Sequence, residues 1–85
     1  MELTIKQFEE CFNNAIKFNA FFVEICTEMR GVKESRIILN PSENFENELA
    51  WYKKAYNENL TLKALDEIKI VGFGYGSVDM LDDNM

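Results

Sequence analysis

Residues 20–39 read AFFVEICTEMRGVKESRIIL, and the fold turns on them. Two periods compete here. Phe18, Phe22, Ile25 and Met29 would extend a helical stripe. Phe21, Val23, Ile25, Thr27 and Met29 instead alternate with Glu24, Cys26 and Glu28, the period of a strand with one buried side. The segment is rich in β-branched and aromatic residues, which suit a pleated surface. Arg30-Gly31 follows it, and glycine can take the positive φ that a tight hairpin turn requires. A second β-like run, Ser35 to Leu39, comes next. The strand period is preferred, and with it a β-hairpin over one long helix.

Helices flank the hairpin. Thr4 can cap a helix over Ile5 to Phe18, with Gln7 at the reciprocal capping-box position and Leu3 and Phe8 at staple spacing. Ile5, Phe8, Phe12, Ala15 and Ile16 form its apolar stripe. After the hairpin, Asn40 can cap a second helix, with Pro41 in its first turn and Glu43 at a capping-box position. Phe45, Leu49, Tyr52 and Tyr56 make that helix's buried stripe, with Trp51 beside it. Glu43, Glu46 and Glu48 precede Lys53 and Lys54, the order that complements the helix dipole. Leu60 to Glu67 reads as a connector with room for one helical turn, pinned by Leu60, Leu62 and Leu65. Ile68 to Phe73 is a short apolar strand. The expected fold is α+β, in the order helix-strand-strand-helix-strand. A small three-stranded antiparallel sheet carries both helices on one face, with one sheet edge open to another chain. Residues 1–78 form the single domain, and 79–85 form an acidic, frayed tail.

Composition narrows the function. The chain has 85 residues, enough for one domain of modest stability, about 4–13 kcal/mol. Seven Phe, three Tyr and one Trp supply the apolar bulk of a core. Fifteen acids against nine bases give a net charge of −6. That disfavours direct binding of nucleic acid or of an anionic membrane, and suits a protein partner with a basic surface. No apolar run is long enough to span a membrane, and MELTIKQFEE lacks the features of a signal peptide, so a cytoplasmic location is expected. Cys11 and Cys26 then read as reduced thiols. With no His and no paired-cysteine motif, neither a metal nor a cofactor is expected. The carboxylate pairs Glu9-Glu10, Glu24/Glu28 and Asp82-Asp83 have no companion base, and the chain is not expected to be an enzyme.

Gly72-Phe73-Gly74-Tyr75-Gly76-Ser77 has two readings. It is a glycine-rich ligand loop, which needs a helix N-terminus after it, or a terminal strand or bulge with glycines on one side and aromatics on the other. The second is preferred. The candidate partner-binding residues are Glu43, Glu46, Glu48, Trp51, Tyr75, Asp79, Asp82 and Asp83, acids and aromatics of the kind that anchor interfaces.

The segment 37–76, with its strand-to-helix junction IILNPSENF, its helix WYKKAY and its strand IKIVGF, resembles small proteins encoded by phages and mobile elements of low-GC Gram-positive bacteria. The resemblance implies a context: a short acidic protein that binds and blocks a host nucleic-acid-handling or defence protein, in the manner of an anti-CRISPR inhibitor in the bacterial cytoplasm. A nucleotide-binding oligomer using the 72–77 segment, or a structural homo-oligomer or virion accessory protein, are the alternatives.

Overall fold

The computed structural model describes residues 3–77, so the expected acidic tail, with Asp79, Asp82 and Asp83, lies outside the described residues. The element order is α1 (Ile5–Lys17), β1 (Phe22–Met29), β2 (Val32–Leu39), α2 (Ser42–Ala55) and β3 (Ile68–Gly76). This is the α+β order read from the sequence. The strands form one antiparallel sheet in the order β2-β1-β3, with β1, which buries Phe22, Val23 and Ile25, in the centre.

α1 starts where its side chains dictate. The Thr4 hydroxyl accepts from the Gln7 amide at 3.4 Å, and the Gln7 side chain accepts from the Thr4 amide at 2.9 Å. At the other end Asn19 takes φ 53°, and its amide and that of Ala20 return to the carbonyls of Ile16 and Ala15. This left-handed closure satisfies carbonyls the helix would leave bare. Phe18 is therefore the cap and not a helical residue.

The strand period wins in 20–39. Arg30 and Gly31 both take positive φ, 52° and 85°, as a two-residue turn of the I′ type demands. So tight a turn puts Val32 directly opposite Met29. β2 consequently starts at Val32, three residues before the run that hydropathy marks. Val23 and Ile25 are buried toward the helices, and Ile38 joins them from β2.

β3 changes face partway along. Cys26 pairs with Gly72 but Thr27 pairs with Ile70, so Val71 is the extra residue of a bulge. The bulge lets Ile70 and Phe73, three residues apart, both face the helices. Phe73 sets its ring edge-on to Phe8 at 5.3 Å, while Gly72, Gly74 and Gly76 fall on the opposite, helix-free face.

α2 corrects three sequence expectations. Its N-cap is Pro41, in extended backbone, and no side chain caps it. Asn40 stands one residue too early, and proline has no polar side chain to replace it. Glu43 consequently has no capping partner to reciprocate. Asn44 instead donates its side-chain amide to the Leu39 carbonyl at 3.0 Å. The connector forms no helical turn. Leu60 and Leu62 pack on the core as expected, whereas Leu65 is exposed. Leu60 is fully buried despite φ 66°, and its carbonyl accepts from the Ile70 amide at 3.0 Å, covering the first part of β3's outer edge.

The core lies between the sheet and the two helices. Phe8 is its hub, with no exposed surface and rings of Phe12, Tyr52 and Phe73 within 5.3 Å. Phe8→Ala is predicted to cost about 3–5 kcal/mol, through lost burial and the cavity left behind. Chemical denaturation should show that loss, which consumes much of the stability available to a chain this size.

Candidate functional site

The outward face of α2 collects part of the predicted site. Phe45, Leu49 and Tyr52 turn the helix inward, so Glu43, Asn47, Ala50, Trp51 and Lys54 share the exposed side. Glu43 and Glu46 are exposed and form no ion pair among the described residues. Trp51 is 53% exposed, and its indole stands edge-on to Tyr52 at 4.9 Å and near-perpendicular to Tyr56 at 6.4 Å. Its ring is thereby braced by buried aromatics while much of its surface remains open.

Glu48 does not belong to that open face. Its carboxylate reaches Arg36 of β2 at 2.8 Å, and Arg36 also donates to the Tyr52 hydroxyl at 3.4 Å. The carboxylate oxygen nearest Arg36 is shielded from water yet receives no well-aligned hydrogen bond. The Tyr52 hydroxyl and the Glu48 carboxylate together hold the Arg36 guanidinium above its ordinary range. Sequence reasoning missed this cluster. Its signal was available: Glu48 and Tyr52 are four apart on one helix side, and Arg36 is a lone base at an inward position of β2.

Tyr75 is placed elsewhere. It stacks on Phe18 at 6.5 Å, where the end of β3 meets the end of α1, and Lys17 sits 5.5 Å above the same Phe18 ring. α1 packs on β3 and β1, whereas α2 packs on β2, so Tyr75 and Trp51 occupy opposite sides of the molecule. Two grooves border Tyr75. One, of roughly 390 Å3, runs between α1 and β3 past Glu10, Cys11 and Asn14. The other, of roughly 330 Å3, lies by Phe18, Asn19 and Ser77.

The charge is not spread evenly along the chain. All nine bases fall within 3–77, but Glu2, Asp79, Asp82 and Asp83 do not, leaving eleven acids there and an excess of two. Within that body Glu9 is matched by Lys53 and Glu67 by Arg30, the latter through two hydrogen bonds of 3.0 Å. Such exposed pairs contribute about 0–1 kcal/mol each. The exposed start of α2 is thus a local acidic spot on a nearly balanced surface.

The Gly72–Gly76 segment is strand and not loop. Its pairing with β1 engages backbone groups that a phosphate loop would keep for ligand. A Cβ at Gly74 would meet nothing within 4 Å, and at Gly72 only the Cys26 Cβ at 3.8 Å. Among the described residues no cluster of three or more Cys, Asp or Glu could hold a metal ion, and no helix is long and apolar enough to cross a membrane.

A scan against protein-family models, a search of curated proteins and a search of solved structures each found no match. The α+β architecture therefore rests on the chain itself.

Cys11 and Cys26 are both free thiols. Burial pushes the Cys11 thiol up to about 11, so little of it is thiolate at neutral pH. Thiol-exchange kinetics at pH 8 should show Cys11 reacting about tenfold more slowly than an unperturbed thiol, because the loss of thiolate is partly offset by the greater nucleophilicity of a more basic sulfur. Comparison with Cys11→Ser identifies the slow phase.

Proposed function

We propose that this chain is a protein-interaction module that docks the outward face of α2 on a basic surface of another protein. The observation that carries this reading is Trp51: a large aromatic, half exposed and held in place from behind, on a helix whose exposed Glu43 and Glu46 form no ion pair among the described residues. Rigid aromatics anchor interfaces, and unmatched rim charges steer encounter and set register. Glu48 contributes indirectly, by fixing Arg36 and the flank of the helix. In this reading the chain binds rather than catalyses. The resemblance of residues 37–76 to phage and mobile-element proteins narrows the partner to a host nucleic-acid-handling or defence protein, CRISPR-type nucleases included. The module would occupy a channel built to receive phosphates.

Affinity capture from a Gram-positive host lysate, with each retained protein then purified and titrated, tests the proposal. Trp51→Ala should weaken the titrated complex by about thirtyfold or more, as loss of an interface anchor does. Glu43→Lys with Glu46→Lys should slow association and flatten its dependence on salt. Trp51→Ala gives up two aromatic contacts and the lysine pair reverses charges that suit the start of a helix, so each should lower the melting temperature somewhat while circular dichroism still reports the native fold. A purified partner that binds the Trp51→Ala chain equally well would sink the proposal, as would the absence of any partner.

A further inference from the structure

β2 is an edge strand along its whole length, and its sequence is complementary to itself. Among the described residues it pairs only with β1, has no bulge, and every residue of it but Ile38 is exposed. The other edge of the sheet is different, because β3 carries a bulge and its first residues are covered by the Leu60–Leu62 segment. The two-residue turn makes Met29 and Val32 a hydrogen-bonded pair, and alternation then turns the N–H and C=O groups of Lys33, Ser35 and Ile37 away from β1. Leu39 is the next in that series. Its carbonyl accepts from the Asn44 side chain, so the free stretch has a closed end.

We infer that two copies of this chain pair antiparallel through the free edge of β2, about a dyad at Ser35. Charge decides the register. With the dyad at Ser35, Glu34 of each copy stands opposite Arg36 of the other, on the helix side of the sheet, and Val32 stands opposite Ile38. Lys33 meets Ile37 on the helix-free face. Dyads at Lys33, Glu34 or Arg36 would oppose identical charges, which is unfavourable for directly facing residues. A dyad at Ile37 would shorten the ladder and run into the closed end at Leu39. The Ser35 register also places outward backbone groups opposite outward groups, at 35–35 and twice at 33–37, so each such pair exchanges two hydrogen bonds. The charges that deter indiscriminate edge pairing thus leave one arrangement open. The product is a six-stranded sheet with both α2 helices on one side. Their Glu48 and Trp51 flanks, turned away from α1, border the dyad. This goes beyond the partner reading above and does not depend on it.

Sedimentation equilibrium on the full chain tests the pairing. The mass should rise from 9.9 kDa toward twice that value as concentration increases. Ser35→Pro removes an outward N–H that no internal bond uses and should leave a monomer with an unchanged circular dichroism spectrum. Glu34→Arg places a guanidinium opposite Arg36 of the second copy and should weaken the dimer by about tenfold, two charge pairs being inverted. Cross-linking fixes the register. At a dyad the two Ser35 Cα atoms lie about 5.5 Å apart, within disulfide reach, whereas the two Lys33 Cα atoms lie about 14 Å apart. Cys26→Ala/Ser35→Cys should therefore oxidise to a covalent dimer, and Cys26→Ala/Lys33→Cys should not exceed the Cys26→Ala background. A monomer mass up to millimolar concentration overturns the inference. So does a folded Ser35→Pro chain that dimerises like the parent, or equal cross-linking at 33 and 35.

Discussion

One aromatic ring joins the three parts of this molecule. Phe8 projects from α1 and meets Tyr52 of α2 at 5.2 Å and Phe73 of β3 at 5.3 Å, with Phe12 beside it at 5.0 Å. Tilted and edge-on aromatic pairs contribute about 0.5–1.5 kcal/mol each beyond the area they bury. A short chain hides a smaller share of its surface than a long one, so a few large rings must supply much of the driving force. The capping box at Thr4 and the bulge at Val71 both serve this junction. The first fixes where α1 begins and hence which way Phe8 points; the second turns Phe73 toward it.

Building the core on one side leaves the sheet unequal. Both helices are spent on one face, and the other face carries Ile37, Leu39, Cys26 and the three glycines of β3. On that face Glu28 lies between Lys33 and Lys69 in register, an arrangement of opposite charges that helps fix the pairing of all three strands. The edges differ in the same spirit. β3 is partly covered by the returning connector, while β2 keeps its outward amides. Among the described residues no further helix covers what remains, so the open surfaces are by-products of how the core was closed.

Most of the fold was legible because local signals agreed with one another. The Thr4–Gln7 pair, the helical stripe from Ile5 to Ile16, the Arg30-Gly31 turn and the stripe from Phe45 to Tyr56 each specify an element by steric or hydrogen-bonding rules that act within a few residues. What was not legible depends on contacts distant in sequence. The start of β2 at Val32 is set by pairing with Met29, not by its own polar sequence, Val-Lys-Glu-Ser. The bulge exists because Ile70 and Phe73 must reach the same core, which alternation within β3 alone does not reveal. Asn40 looked like a cap because the rule reads residue type, yet the cap position fell on Pro41.

The candidate site divides along the same line. Exposure of Trp51 follows from its phase on α2, which periodicity supplies. The diversion of Glu48 to Arg36 does not, because it depends on how α2 crosses β2. That ion pair alters the meaning of three acids that look equivalent in the sequence. Glu43 and Glu46 remain exposed and form no ion pair among the described residues, whereas Glu48 pairs with the Arg36 guanidinium, which also donates to the Tyr52 hydroxyl. Arg36 in turn ends up at the rim of the only wholly uncovered edge among the described strands. A base at that position both anchors the helix and marks the edge, so the residue that completes the monomer's polar contacts also sets the condition another strand must meet to join the sheet.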